Sequence, residues 1–591
     1  MKKKILSLFL VGALALGMLA GCGSEEQQSE QNNDSSEEKQ QSGTEVSDVD
    51  SEYPEYLNLD SAFPIIKDEY KGTIKLKVAI VQKEYGGEWD DLWISQYFRD
   101  KYNIEFEVES IMESALDDKK SLMFNSGELP DIMINMALTT NEIYQYGQEE
   151  GLLLACDEYI NETLTPSIAK YFENDEIRNA CTTPDSHVYT LPRVTSEKYA
   201  AVNAYRMSIN TAWLEELGLE MPRTLDEFTE TLYTIKESDI SGVGSENLYP
   251  LGGGIGNYSP VPYLLNAFGY VTTDQYGIGA SYRDGEVVIP CYDMDTYKNF
   301  LELMHQYYVD GIIAEDFFTM DTTKATAMVG AGNNATIAAA PYTLGIDNYT
   351  DYESLYPLTS DWQDEMEWPS ASYYKVGNFC ISAETEYPEL CMRIADMYYN
   401  SDTDDCRALW VGPGMNNEYN YGYVNAVYDP ETNNIASDAS LLPEGVSSVS
   451  QYYHMYLVGF QAQFGAIETD EAIANHYLWI NEGLTEEDAE RGSVQDLTLG
   501  DPHWRHYALE RQAPYATAQF PGIYYLSTED VSRISDLETI IQPYAKEQIA
   551  LFITGKRDLS ETDAFVEELK GMGMDELLEL YKEIEVTVNG N

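Results

Sequence analysis

From Thr73 to Val81 apolar and polar residues first alternate, then give way to the unbroken apolar run Val78-Ala79-Ile80-Val81. Alternation marks a strand with one wet face, and a continuous run marks one covered on both faces. The segment therefore predicts a strand entering a buried sheet. Gly86-Gly87 marks a turn, and Asp90-Asp91-Leu92-Trp93 opens a helix expected to reach about Tyr102. Alternation returns from Ile104 to Ile111 as a second strand. Leu116 to Phe124 reads as a helix stopped by Ser126-Gly127, and Pro130 to Asn135 as a third short strand. Strand–helix–strand–helix–strand with short connections is the pattern of an α/β lobe on a largely parallel sheet.

A second set starts near Arg206. Asn210 to Leu217 has helical spacing and stops at Gly218. Thr224, with Glu227 three residues on, forms a capping box that satisfies free backbone N–H groups at the start of the next helix. Further helices are predicted over Asp295 to Val309, Tyr387 to Asn400, and Gln542 to Tyr581 with a break at Thr554-Gly555-Lys556. No repeat of fixed period runs through the chain.

The first 52 residues follow other rules. Lys2, Lys3 and Lys4 precede an apolar and small-residue stretch from Leu8 to Ala20, shorter than the roughly 20 apolar residues a bilayer span needs. Leu19-Ala20-Gly21-Cys22 then resembles the lipobox of bacterial lipoproteins. The resemblance implies a signal peptide over residues 1–21 and acyl chains on Cys22, anchoring the protein outside the membrane without spanning it. Residues 22–52 are mostly Ser, Glu, Gln, Asn and Asp. So polar a segment buries too little apolar area to offset its ordering entropy and is expected to be a disordered tether.

Roughly 540 residues remain, more than one compact core holds, so at least two lobes are expected. A formal net charge of −67 argues against nucleic acid or an anionic membrane surface as partner. The cysteines beyond Cys22 are scattered with neither a C-x-x-C pair nor zinc spacing, so no disulfide framework is implied.

Several segments, taken in order, resemble the extracellular solute-binding proteins of ABC importers (family 1), in the branch of oligosaccharide-binding lipoproteins. They are Ser126-Gly127-Glu128-Leu129-Pro130-Asp131-Ile132, Tyr189-Thr190-Leu191-Pro192, and Trp213-Leu214 through Leu217-Gly218-Leu219 with Pro222 and Thr224 to Phe228. Phe552-Ile553-Thr554-Gly555 and Phe565 to Leu577 close the series. The resemblance implies a two-lobed, periplasmic-binding-protein-like (type II) α/β fold with a hinge and extra C-terminal helices. Expected lobe 1 is 73–194 plus about 336–385; lobe 2 is about 195–335 plus 386–591. It further implies a monomer outside the bacterial cytoplasmic membrane that captures a carbohydrate and delivers it to ABC permease subunits, with no catalysis. A lipid-anchored glycoside hydrolase and a surface glycan-binding adhesion lipoprotein are the rival classes.

Sugar recognition needs aromatic faces for pyranose C–H surfaces and planar polar groups for hydroxyls. Glu88-Trp89 follows the first strand, where parallel sheets place ligand-contacting loops, although Trp89 could equally be a packed loop aromatic. Asn135 ends the third strand. Arg193, Tyr205 and Arg206 flank the expected first crossing between lobes. Gly252-Gly253-Gly254-Ile255-Gly256-Asn257-Tyr258 lacks a phosphate-binding pattern; it either presents Asn257 and Tyr258 to ligand or is a plain turn. Trp410-Val411-Gly412-Pro413-Gly414 resembles the family's cleft segment, with Pro413 where relatives often carry glutamate. Trp89 and Trp410 are expected on opposite walls. Some relatives bind calcium in a loop resembling Asp239 to Leu248; here Val243 and Leu248 stand where oxygen donors are needed, so no cofactor is expected. His503 and His506, with Asp501, lack a metal-site spacing and read as a polar surface turn.

Overall fold

The central strand β1 (Lys75–Gln82) leaves only Lys75 and Lys77 exposed and buries every other position, as its pattern requires. It pairs in parallel with β2 (Glu105–Met112), from Lys75↔Glu105 to Gln82↔Met112. On its other side it pairs in parallel with β3 (Ile132–Ile134), from Val78↔Ile132 to Ile80↔Ile134. Phe379–Ile381 returns from far along the chain to pair antiparallel with β3 as the edge of this four-stranded sheet. The computed structural model describes residues 53–411, 426–429, 434–437, 445–446, 449–471 and 500–589. The expected signal segment and tether, with Cys22, lie outside these.

Side-chain alternation divides the first lobe into two layers. Leu76, Val78 and Ile80, with Ile132, Ile134, Phe379 and Ile381, face one core. Ala79 and Val81, with Met133 and Cys380, face another. Helix Trp93–Tyr102 buries Ile94, Phe98 and Tyr102 against the first layer and ends at Asn103 in the left-handed region. Asn103 anchors that end by donating from Nδ2 to the Ile66 carbonyl at 2.8 Å.

The chain leaves through β4 (Arg193–Thr195) and returns through Tyr374–Lys375, paired antiparallel with it. In the second lobe, β5 (Ser208–Asn210) lies between Thr336–Ile337 and Tyr352–Ser354, antiparallel to both. Helix Leu225–Ser238 begins with the expected capping box: Thr224 Oγ1 accepts from Glu227 N at 3.1 Å, and the Glu227 carboxylate accepts from Thr224 N at 3.2 Å. Gly218 ends the preceding helix with φ 67°, a conformation cheap only for glycine. The C-terminal helices Thr528–Ile553, Thr562–Met572 and Met574–Asn589 bury their apolar faces on this lobe's core, with the break where the sequence puts it.

The cores divide the chain differently from the expected boundaries. Ile337 to Trp368 lies with the second lobe, because Thr336–Ile337 and Tyr352–Ser354 are strands of its sheet. Leu390 to Trp410 and Tyr452 to Ala466 lie in the core of the first. Helix Pro388–Asp396 buries every residue from Leu390 to Asp396 there. The six cysteines from Cys156 to Cys406 are free and buried, and burial pushes each thiol pKa upward.

The deepest electrostatic feature sits on that helix. Asp396 is fully buried; its carboxylate accepts from Ile168 N at 2.8 Å and from the Arg393 guanidinium at 3.2 Å. Arg393 also donates to the carbonyls of Leu164 at 3.2 Å and Ser61 at 3.1 Å, tying three distant segments together. Burial outweighs the guanidinium and pushes the Asp396 carboxyl up to about 6. A raised folded-state pKa contributes stability below the unfolded value near 4, and that contribution is lost as pH rises through about 6. Urea unfolding from pH 4 to 7 should show this decline, on the order of 2 kcal/mol. Asp396→Asn should remove that part of the slope while lowering stability at pH 7, because Arg393 is left buried without its countercharge. An unchanged slope in the variant would contradict the assignment.

Candidate functional site

The carboxyl ends of β1, β2 and β3 lie on one edge of the sheet, where open α/β sheets receive ligands. Beyond Gln82 the chain turns, with Gly86 N donating to the Lys83 carbonyl at 2.8 Å. Gly87 N then donates to the His454 carbonyl at 3.2 Å. A Cβ on Gly87 would lie 2.2 Å from the Met455 carbonyl oxygen, so only glycine allows this approach. The opposing segment is a π-helical turn, Tyr453–Leu457, a rare geometry that recurs at functional sites. Two rings stand open on the nested loops. Tyr85 is 41% exposed and meets the His454 ring edge-on at 5.8 Å between centroids. Tyr456 is 43% exposed, 5.2 Å from Tyr452. His454 is buried, which lowers its pKa and favours the neutral ring.

Asn135 follows β3 with φ 64°. Its Nδ2 donates to the Gln461 carbonyl at 2.9 Å, and its Oδ1 accepts from Gln463 N at 2.8 Å. The Gln463 side chain in turn accepts from Arg193 on β4. Asn135 and Arg193, expected as ligand contacts, are thus brought together as a brace between the sheet edge and the crossing.

On the far side of the crossing, Tyr205 donates to the Ser259 carbonyl at 2.7 Å and packs on Trp368. The Arg206 guanidinium lies 4.8 Å over the Trp504 ring and donates to Asn203 at 3.0 Å. Arg206 Nε and Trp504 Nε1 are shielded donors with no hydrogen-bond partner among the described residues. Trp504 is buried in a small core with Val202, Ala340 and Ala508, so its N–H is closed to solvent.

The remaining candidates are placed elsewhere. Glu88 is exposed at the start of the turn Trp89–Asp91. Trp89 is partly buried, 5.7 Å from Phe98, and lines a small apolar void with Val78, Ile80 and Tyr398. Trp410 is 7% exposed, and its indole N–H donates to the Tyr398 carbonyl at 3.3 Å. Both tryptophans therefore pack in the first lobe and do not face each other across a cleft. Pro413 lies outside the described residues. The glycine-rich loop is close-packed against its own lobe: a Cβ would lie 2.2 Å from the Thr336 carbonyl at Gly252 and 1.9 Å from that of Tyr258 at Gly253. Asn257 is engaged by the Met320 carbonyl and by Thr322, and Tyr258 packs inside the second lobe. His503 and His506 lie on helix Gly500–Arg511, not on a surface turn. His503 is buried 3.0 Å from the Tyr352 carbonyl, and His506 lies beside Glu510. Among the described residues, no group of three His, Cys, Asp or Glu side chains is placed to hold a metal.

Tyr85 and Tyr456 were not singled out by the sequence. The one available signal was Tyr85 beside the Gly86-Gly87 turn; which of 47 tyrosines stays uncovered depends on distant segments.

Residues 80–365 match the model of the bacterial extracellular solute-binding protein family, which bears out the resemblance drawn from sequence. The fructooligosaccharide ABC transporter substrate-binding protein FusA of Streptococcus pneumoniae is 29% identical over 217 residues. Lipoprotein LipO of Bacillus subtilis is 28% identical over 226 residues. The matched stretches cover 35% and 37% of this chain and span 39% and 41% of those two proteins. Among solved structures, an HMO-binding solute-binding protein of Bifidobacterium longum infantis superposes with a TM-score of 0.66 at 17% identity, covering 87% of this chain and 98% of its own. A FusA EF-hand mutant in complex with fructo-nystose superposes at 0.62 and 19%, covering 88% and 100%. The fold is the two-lobed, type II periplasmic-binding fold.

Replacing Asn135 by alanine should lower stability by about 2–4 kcal/mol, since two hydrogen bonds go and alanine is strained at this φ. Asn135→Gly should recover about 1 kcal/mol of that loss. Hydrogen exchange should quicken at residues 461–465 in both variants; unaltered exchange there would remove the brace.

Proposed function

We propose that this chain, whose residues 80–365 match the bacterial extracellular solute-binding family, is the capture component of an ABC importer and binds an oligosaccharide without altering it. The observation that carries the reading is the pair of open rings, Tyr85 and Tyr456, on nested loops at the carboxyl edge of a parallel sheet. Aromatic faces left uncovered there suit the apolar faces of sugar rings. Glu84 and Glu88 are exposed on the first wall, and Lys83 is committed to Glu113 at 2.6 Å. That balance favours a neutral glycan over a uronate chain. Lobe closure supplies contacts from both sides only when ligand is present, so ligand populates the closed form.

The same reading holds the protein outside the cell by acyl chains on Cys22, beside its permease subunits. Among the described residues no helix is long and apolar enough to cross a membrane. Mass spectrometry of membrane-extracted protein should find an acylated cysteine at position 22; a free Cys22 thiol in secreted protein would exclude the anchor.

A thermal-shift screen of neutral and uronate oligosaccharides tests the ligand. A good ligand at about 100 times its Kd adds about 2.7 kcal/mol of stability. Tyr85→Ala and Tyr456→Ala should each weaken binding about 5- to 100-fold, the scale of one lost stacked ring, with little effect on folding. Trp410→Ala should act the other way, costing about 3–5 kcal/mol of stability as a core truncation. Intact affinity in both tyrosine variants would move the site elsewhere, and shortened glycans after incubation would favour a hydrolase.

A further inference from the structure

The loop Asp239–Leu248 stands where some members of the resembled family bind calcium, and its residues do not fit that ion. Calcium needs six to eight oxygens converging on one point. Here several of the loop's oxygens already accept hydrogen bonds from within the protein. Asp239 Oδ1 accepts from Gly244 N at 2.8 Å, and the Asp239 carbonyl from Gly242 N at 2.9 Å. The Val243 carbonyl accepts from Asn247 Nδ2 at 3.0 Å, and the Gly244 carbonyl from Asn247 N at 2.9 Å. Asn333 Nδ2 donates to the Asn247 carbonyl at 2.8 Å. Leu248, at the position that would close the ligand set, is fully buried in the apolar core.

One cation is nevertheless present. Lys236, in the last turn of helix Leu225–Ser238, donates from Nζ to the Leu248 carbonyl at 2.6 Å. The same Nζ lies 5.0 Å from the Tyr249 ring centroid. It would lie 3.2 Å from a Cβ on Gly311, whose φ of 70° and lack of side chain leave the ammonium its space. A positive charge at a helix C-terminus also opposes the partial negative charge of the last carbonyls. Loop, helix end and aromatic face thus converge on a single ammonium.

We propose that Lys236 is a resident cation that closes the Asp239–Leu248 loop in place of a metal ion, making this part of the second lobe independent of calcium. The ammonium is covalently attached and cannot leave as a metal ion can, so the loop keeps its shape whatever the calcium level outside the cell.

The test is thermal unfolding of the full chain in millimolar calcium and in excess chelator, with hydrogen exchange read alongside. Wild-type Tm should agree within about 1 °C between the two conditions. Lys236→Met, which keeps the apolar stem and removes the charge, should lower Tm by about 2–4 °C equally in both. It should also speed exchange at residues 239–249 while leaving the first-lobe sheet unchanged. Lys236→Arg, which retains the charge, should restore most of the protection. A calcium-dependent rise in wild-type Tm, or terbium luminescence saturating at micromolar ion, would overturn the proposal. So would a Lys236→Met protein indistinguishable from wild type in Tm and exchange. None of these outcomes depends on which ligand, if any, the cleft takes.

Discussion

A strand buried on both faces governs the first lobe. From Val78 onward β1 has no side open to water, so each face must be covered by its own apolar layer. Local sequence cannot supply both layers. The covering comes from helix Trp93–Tyr102 nearby and also from Leu390 to Trp410 and Phe460 to Ala466, hundreds of residues away. To deliver them the chain must leave the lobe, build a second one, and return. The antiparallel crossing of β4 with Tyr374–Lys375 is the trace of that journey.

The same constraint makes the edge at which ligand is proposed to bind. Parallel strands end together, so the loops after β1 and β3 emerge side by side, and the returning segment 453–465 packs over both. Gly87 accommodates the backbone of Met455, and Asn135 grips Gln461 and Gln463. In the proposed site, rings on loops held this closely would lose little conformational freedom on binding, leaving more of the contact energy as affinity.

Local signals were readable where they determine local structure. The alternating-then-apolar run of β1, the Thr224–Glu227 capping box, the Gly218 stop and the break after Thr554 all have short-range causes, and all appear as read. Lobe boundaries were not readable in this way. Strands of two or three residues, such as Thr336–Ile337 and Tyr352–Ser354, carry no periodicity and exist because β5 pairs with them. The site was half legible for a related reason. Sequence marked Asn135 and Arg193, which the structure joins through Gln463, but whether a polar group is free or committed depends on partners 270 to 328 residues distant. Tryptophan is a natural sugar platform, but Trp410 fills a core whose other members come from distant segments.

Six thiols lie sealed inside the two lobes, unjoined by any disulfide among the described residues. Each is starved of water, which suppresses the thiolate that alkylating and oxidising reagents attack. The described residues of both lobes are therefore held together without a covalent cross-link. The sealed sulfurs also turn the protein into its own opening gauge: five lie in or against the first lobe's layers and Cys291 in the second, so the order in which they become alkylated reports which lobe comes apart first.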